Sequence, residues 1–282
     1  MPTRISPPLR LEMLGQRLRG LRIERGLTLA EVAQLVSWST AKVGTLETGR
    51  KRVMAGDVHR LLDALGVGAD EPIRTECLQL LAAAHQRSWW KDYERVLPVP
   101  YVSLETEARL IRTWQPQLIP GLLQTRDYAR AVIAAVHPWD EPSTVAMIAR
   151  ARIARQWILG CDDPPDLEVV VGEHALRARL GGPQMMREQL QRLLTAGRER
   201  HIAVQVMPAE VHEHAGLMGS FVLLTAPDLP TRLYCEGGPA AIMEEGPHVD
   251  QWERRFGVLT QQALTVTESA DLIAQIMKET AC

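Results

Sequence analysis

Leucines near the start of the chain recur at the spacing of an amphipathic helix. Positions i, i+3, i+7 and i+10 hold Leu11, Leu14, Leu18 and Leu21, which places all four on one helical face. The other faces carry several arginines, and Gly26 supplies a helix stop. The pattern predicts a first helix that buries its leucine face and ends near Gly26.

Capping residues predict further helices directly after the first. Thr28 with Glu31 three residues later forms a capping-box pattern, which opens a second helix that runs through Val36. Ser39 caps a third helix, and Gly49 ends it. A fourth helix, which precedes a glycine, is indicated by apolar residues on one face: Val58, Leu61, Leu62 and Leu65.

The chain divides into a head, a connector and a body. The head, residues 9–70, is predicted to be a compact bundle of four or five helices behind a flexible tail at residues 1–8. The segment from Glu76 to about Val96 has the pattern of one long amphipathic helix, closed by two prolines. This helix is the predicted connector, residues 71–98, and the body spans residues 99–282.

The body mixes helical periodicity with short apolar runs typical of strands. Helices are predicted at Thr125–Val136, Ser143–Leu159, residues 183–196, Trp252–Leu264 and Ser269–Lys278. Strands are predicted at Leu167–Val171, Ile202–Met207, Phe221–Thr225 and Leu233–Cys235. The fold class is therefore mainly α with an α+β C-terminal domain, a small mixed sheet flanked by helices.

Composition excludes several classes of protein. Of 282 residues, 46% are hydrophobic and 23% charged, and the formal net charge is −2. No apolar stretch approaches the ~20 residues that a membrane-spanning helix needs, and no secretory signal precedes the first helix. Four widely spaced cysteines indicate neither a zinc site nor a disulfide framework. We expect a cytoplasmic protein without a membrane partner, metal or cofactor.

The near-neutral net charge conceals two parts of opposite sign. Residues 1–70 carry eleven Lys and Arg against seven Asp and Glu, a surplus of four positive charges, and the remainder carries a surplus of six negative charges. The basic head favours a nucleic-acid partner, because positive charge attracts phosphates. The acidic body is repelled by the same phosphates.

The second and third predicted helices have the spacing of a helix-turn-helix. Ala33, Ser37, Val43 and Leu46 fall at relative positions 0, 4, 10 and 13. Ala33 is small and permits a close helix crossing, and Ser37 lies where the chain turns. Val43 and Leu46 anchor the crossing helix. In this motif the second helix enters the major groove of DNA. An ordinary helical hairpin is the alternative, and the basic run after Gly49 favours the DNA-binding interpretation.

This head resembles the Xre/Cro-type helix-turn-helix domain, which has a lambda-repressor-like fold. The resemblance lies in residues 26–33, 39–50 and 61–67. It implies base contacts from Thr40, Ala41 and Thr45. Lys42, the one cation on the recognition helix, is predicted to bind guanine or phosphate. Phosphate contacts are predicted for Arg22, Thr28, Ser39, Arg50, Lys51 and Arg52.

The body resembles the large C-terminal domain of unknown function found in antitoxin-like Xre regulators of sporulating filamentous actinobacteria. The matching segments are residues 87–90, 111–125, 127–131 and 181–190. This resemblance implies a small partner protein encoded by an adjacent gene. We predict a homodimer on double-stranded DNA, with a surface for a partner or ligand that includes Trp89, Trp90, Arg112, Trp114, Gln124 and His214.

Catalytic motifs are not found. The cluster Glu210, His212, Glu213 and His214 has poor spacing for a metal and is typical of a polar loop. Glu173 is predicted to lie in the first turn of a helix. The leading hypothesis is a sequence-specific transcriptional regulator and not an enzyme. An antitoxin-like protein with weak or autoregulatory DNA binding is the alternative, because Leu29 replaces the glutamine with which related heads contact phosphate.

Overall fold

The computed structural model describes residues 4–51, 53–235 and 242–280. The chain forms two compact units, the first Pro2–Lys91 and the second Asp92–Cys282. None of the helices in the described ranges has the length and apolar character needed to cross a membrane.

The described part of the first unit contains five α-helices, of which the first four correspond to the helices predicted for the head. They are α1 Pro7–Glu24, α2 Leu29–Leu35, α3 Thr40–Glu47, α4 Ala55–Ala64 and α5 Pro72–Ala84. The predicted leucine face of α1 is buried, with Leu14, Leu18 and Leu21 packed against the apolar residues of the other four helices. Burial of these side chains supplies most of the driving force for this small bundle.

Two predicted boundaries of the head are wrong. The flexible tail does not extend through residue 8, because Ser6 caps α1 and Leu9 is 3% exposed. The connector is not one long helix, because α5 ends at Ala84. Cys77, with two leucines on the next turn of α5, packs into the core of the first unit, so this helix belongs to the bundle. Where α5 ends, a ring nitrogen of His85 lies 2.9 Å from the Val53 carbonyl oxygen.

Two glycines end helices as predicted. Gly26 follows α1 with φ +67°, and Gly49 follows α3 with φ +62°, a region that L side chains rarely adopt. Gly49 is required for a second reason. A Cβ at this position would lie 2.6 Å from the Cα of Glu12, so only glycine permits α1 and the end of α3 to approach this closely.

The second unit is α+β, as predicted. Its helices are α6 Val99–Glu107, α7 Arg126–Val136, α8 Pro142–Ala154, α9 Glu173–Arg177, α10 Pro183–Ala196, α11 Val249–Gln262 and α12 Val266–Glu279. Its strands are β1 Leu110–Gln115, β2 Asp166–Gly172, β3 Ile202–Met207, β4 Phe221–Thr225, β5 Arg232–Cys235 and β6 Ile242–Glu244. Short 3₁₀ turns occur at Lys91–Tyr93, Gly121–Leu123 and Arg155–Gly160.

The described strands form one mixed sheet in the order β3-β2-β1-β4-β5-β6. β3, β2 and β1 are parallel, whereas β4, β5 and β6 continue the sheet antiparallel. β1 is central, and neither β1 nor β6 was predicted from the sequence. The helices α7 and α8 lie between β1 and β2 in the chain, which is the long crossover that parallel neighbours require.

The two faces of the sheet have different coverings. Trp114, Phe221 and Leu233 pack with Phe256 of α11 in an apolar cluster on one face. The opposite face carries the alternate residues of the same strands and borders a cavity, described below.

Candidate nucleic-acid interface

A tight turn sets the angle between α2 and α3. Ser37 has φ +56°, and its N–H donates to the Gln34 carbonyl at 3.1 Å. The next N–H, of Trp38, donates to the Ala33 carbonyl at 2.8 Å. These two bonds form a Schellman motif, in which a residue with positive φ ends the helix and satisfies its last carbonyls. The predicted position of the turn at Ser37 is confirmed.

The inner face of α3 is anchored in the bundle. Val43 is fully buried and Leu46 is 5% exposed, as their predicted role requires. Gly15 of α1 lies directly under the end of α3, since a Cβ there would be 2.6 Å from the Glu47 carbonyl oxygen. α3 therefore has little freedom to shift, and its outer face is held in a fixed position.

The position of Arg22 argues against its predicted phosphate contact. Its Nε and Nη2 donate to the Glu47 carboxylate at 2.6 and 2.8 Å, and Nη1 donates to the Leu27 carbonyl at 2.9 Å. The hydrogen bond to Glu47 raises the pKa of Arg22. The side chains of this ion pair are 12% and 6% exposed. Arg22 therefore joins α1 to α3 and to the turn before α2.

The outer face of α3 begins with exposed side chains. The Ser39 hydroxyl accepts from the Lys42 N–H at 3.2 Å and caps the helix, as predicted. Thr40 and Ala41 are exposed on the first turn. Thr45, on the next turn, is half-buried, and its hydroxyl donates to the Ala41 carbonyl at 2.7 Å. The oxygen of that hydroxyl retains its acceptor capacity.

Lys42 has partners within the protein that were not predicted from the sequence. Its Nζ lies 2.7 Å from the Asp57 carboxylate and 3.8 Å from the ring centroid of Trp38. Asp57 stands in the first turn of α4, so this ion pair joins α4 to α3. The one cation of the recognition helix is thus partly neutralised before any DNA is bound.

The remaining predicted phosphate ligands lie at the ends of α2 and α3. Thr28 accepts from the Glu31 N–H at 3.2 Å, which completes the predicted capping box. The two hydrogen bonds that Thr28 donates to the Glu31 carboxylate lower the pKa of that carboxyl. Arg50 and Lys51 are exposed and make no ion pair with any residue that the structure describes. Arg52 lies outside the described residues.

The tryptophans predicted to form a ligand surface are mostly buried. Trp90 is 1% exposed and packs edge-on against Trp89 in the first unit, with ring centroids 5.6 Å apart. Trp114 of β1 is also 1% exposed, and its Nε1 donates to the Gly216 carbonyl at 3.0 Å. The two buried tryptophans are thus core residues.

Two family models match the chain. One, described as a helix-turn-helix domain, covers residues 13–72. The other, described as a domain of unknown function (DUF5753), covers residues 99–275, more than half of the chain. The chain belongs to the DUF5753 family. No curated protein and no solved structure matches it. The helix-turn-helix match indicates a DNA-binding regulator.

Arg112 and His214 of the DUF5753 domain have structural contacts. Arg112 forms an ion pair with Glu253 of α11. His214 packs edge-on against Trp114 at a centroid distance of 5.2 Å, and its Nδ1 accepts from the Gly216 N–H at 3.1 Å. Burial lowers the pKa of His214. Both side chains support the same face of the sheet.

The predicted polar loop of the DUF5753 domain is confirmed, since the segment 211–219 contains no helix or strand. Within the described residues, no group of three or more His, Cys, Asp or Glu side chains is placed to hold a metal ion. Glu173 begins α9, as predicted, and its carboxylate accepts from the Ala209 N–H at 2.9 Å and from Arg177 at 2.6 Å.

Gln124, one of the predicted ligand residues, lines a cavity. It is 3% exposed; its Nε2 donates to the Ile119 carbonyl at 2.7 Å, and its Oε1 accepts from Arg152 at 3.2 Å. The cavity of about 540 Å³ lies within the second unit, and most of its lining residues belong to the DUF5753 domain. Two further lining residues, Tyr101 and Arg155, were missed because α6 and the segment after α8 meet only in the folded chain.

Proposed function

We propose that this protein is a sequence-specific transcriptional regulator, in which the start of α3 contacts base edges in the major groove. The observation that carries the proposal is the exposed first turn of α3 on a helix whose other face is fixed in the bundle. The Thr40 and Thr45 hydroxyls hydrogen-bond base edges, and Ala41 contacts a thymine methyl group. Xre/Cro-type heads, which this unit resembles, use the same positions.

The backbone of DNA is held by groups at the helix ends. Arg50 and Lys51 follow α3 directly and neutralise phosphates, and Arg52 extends the same basic run. The Ser39 hydroxyl and the first backbone N–H groups of α3 contact a phosphate, because helix N-termini favour anions. The predicted phosphate contact of Thr28 has less support, because its N–H and its hydroxyl both donate to the Glu31 carboxylate. These contacts position the head but carry no sequence information.

Selection of binding sites from a random-sequence DNA pool, followed by footprinting, tests this proposal. Loss of the hydroxyl in Thr40→Val is expected to weaken binding to the selected site about fivefold and to leave binding to random DNA unchanged, since one base hydrogen bond contributes about 1 kcal/mol. Thr75→Val, which makes the same change at an exposed site on α5, is the control. Equal affinity of both variants for the selected site contradicts the proposed base contact.

We infer a homodimer, because a single head of this size contacts few base pairs and two-fold sites are read by two copies. Light scattering of the whole chain at micromolar concentration, with and without the selected DNA, measures the mass. A monomer under both conditions contradicts this part of the proposal.

We also propose that the DUF5753 domain binds a small partner protein or a ligand and thereby adjusts regulation. Support for a partner protein comes from the resemblance to antitoxin-like Xre regulators, which implies a product of an adjacent gene. Co-purification of the tagged chain with that product is the expected result. Failure of the two purified proteins to bind each other contradicts the partner.

An antitoxin-like protein with weak or autoregulatory DNA binding is the second candidate. Leu29, at the start of α2, is 37% exposed where related heads place a phosphate-contacting glutamine, and Lys42 is paired with Asp57. Both features weaken the DNA interface. Genome-wide mapping of bound DNA separates the two candidates: many bound promoters favour the regulator, and occupancy of its own promoter alone favours the antitoxin-like protein.

A further inference from the structure

The cavity of the second unit is formed between the sheet and two helices. Alternate residues of β1, β4 and β5 form its floor, and α7 with α8 forms its walls. Its volume of about 540 Å³ lies within the range of ~300–1,000 Å³ that small-molecule sites have. All of its lining residues belong to the second unit, so this unit alone defines the site.

Most of the wall is apolar. The contributing side chains come from several elements and include Val96, Leu118, Ile119, Val132, Ile133 and Ile148. Burial of an apolar surface against such a wall is the main source of affinity for a small molecule.

Three arginines are the main charged groups of the cavity. Arg152 and Arg155 are three residues apart, about one helical turn, at the end of α8 and the start of the segment that follows it. Arg95 lines the cavity from the segment before α6. Against these three guanidinium groups stand two carboxylates, Asp140 in the lining and Glu105, which binds Arg155. Among the residues that line the cavity, the arginines therefore outnumber the carboxylates.

Hydrogen bonds within the protein fix the arginines in place. Arg155 donates to both oxygens of Glu105 at 2.7 and 2.6 Å, and its guanidinium lies 5.1 Å from the ring centroid of Tyr101. Arg152 donates to Gln124, whose amide is itself held by the Ile119 carbonyl. A guanidinium held in this way is preorganised for an anion, because less conformational entropy is lost on binding.

We propose that this cavity binds a small organic anion, in which one acidic group contacts Arg152 and an apolar body fills the space beside α7. The proposal names a class of ligand for the ligand-binding role proposed above for the DUF5753 domain, and an effect on regulation rests on that role. The chemistry follows from the lining, since arginine binds carboxylates and other oxyanions through two parallel hydrogen bonds.

Calorimetric titration of the whole chain with 8-anilinonaphthalene-1-sulfonate tests the proposal. This probe has an apolar aromatic body and one acidic group, and N-phenyl-1-naphthylamine has the same rings without the acid. We expect one saturable site for the sulfonate. Arg152→Met should weaken its binding about 10–100-fold, as expected for loss of hydrogen bonds to a charged group, and should affect the neutral probe far less.

Arg150→Met is the matched control, because Arg150 is exposed on the same helix and does not line the cavity. Thr144→Trp, which adds bulk to a lining residue at the start of α8, should exclude both probes and provides a second test if Arg152→Met fails to fold. Absence of a saturable site, or equal affinity of the Arg152 and Arg150 variants for the sulfonate, overturns the proposal. These titrations contain no DNA, so their failure is distinct from a failure of DNA binding, which is measured separately on the same preparations.

Discussion

Removal of the Asp57 carboxylate should strengthen DNA binding by the first unit. In the free protein this carboxylate lies 2.7 Å from the Lys42 ammonium, on the helix that carries the proposed base contacts. A phosphate or base that binds Lys42 has to displace Asp57, and the carboxylate also repels the phosphates. Asp57→Asn removes the charge and keeps the size of the side chain.

The magnitude follows from the exposure of the pair. The side chains of Lys42 and Asp57 are 41% and 27% exposed, so solvent screens their attraction and the pair contributes about 0.2–1 kcal/mol. Release of Lys42 should therefore tighten DNA binding by up to about fivefold. If the freed ammonium neutralises one more phosphate, the slope of log K against log salt becomes steeper by about 0.9.

Fluorescence anisotropy with a random-sequence duplex, between about 50 and 200 mM salt, measures both quantities. Asp70→Asn makes the same charge change at an exposed position of the first unit and is the control. The Asp57 carboxylate interacts favourably with the positive end of the α4 dipole. Asp57→Asn should therefore also lower the free energy of unfolding by about 0.3–1 kcal/mol, which urea unfolding detects. Equal affinity of the two variants, or weaker binding by a folded Asp57→Asn, refutes the reasoning.

Three further predictions concern the stability of the first unit. Ser37→Gly should raise the free energy of unfolding by roughly 1 kcal/mol in urea, because glycine adopts positive φ without a Cβ clash, whereas Ser37→Ala should not. Arg22→Met should lower the free energy of unfolding by about 3–5 kcal/mol, since Glu47 is left charged and buried. The double variant Arg22→Met, Glu47→Leu should regain stability, because no buried charge remains. A small decrease in the single variant contradicts the structural role of Arg22. Burial raises the pKa of Cys77 from 9.0 to about 11, so as the pH rises the unfolded chain loses the thiol proton before the folded chain does. Stability should therefore fall as the pH rises from 9 to 11, and a Cys77→Ala variant should lack this component. Iodoacetamide at pH 8 should modify Cys77 only after unfolding, and rapid labelling in the native state contradicts its burial.

The helix-turn-helix was predictable from sequence because its signals are local. A capping box at Thr28, an N-cap at Ser39 and glycine stops at Gly26 and Gly49 fix the helix ends within a few residues of each signal. The partners of Lys42 were not predictable in this way, because Asp57 is fifteen residues away and reaches α3 only in the folded bundle.

The central strand β1 was missed because its polar residues hide the strand pattern. Arg112 forms an ion pair with Glu253, and the Thr113 hydroxyl donates to the Phe221 carbonyl at 3.3 Å, and both partners are more than one hundred residues away. The prediction of one long connector helix was wrong for a related reason, since the periodicity of α5 does not show that Cys77 packs into the core of the first unit. The cavity likewise depends on contacts between distant elements, such as Glu105 with Arg155.

The salt dependence of DNA binding tests the central claim most directly. The log of the association constant of the whole chain for its selected site, plotted against log salt, should fall steeply, because cations of the first unit displace counterions from phosphates. Replacement of Arg50 and Lys51 by glutamine should reduce that slope by about 1.8, or about 0.9 for each phosphate that is no longer neutralised. A flat plot for the unaltered chain, or an unchanged slope in the double variant, would contradict a DNA-binding surface at the end of α3.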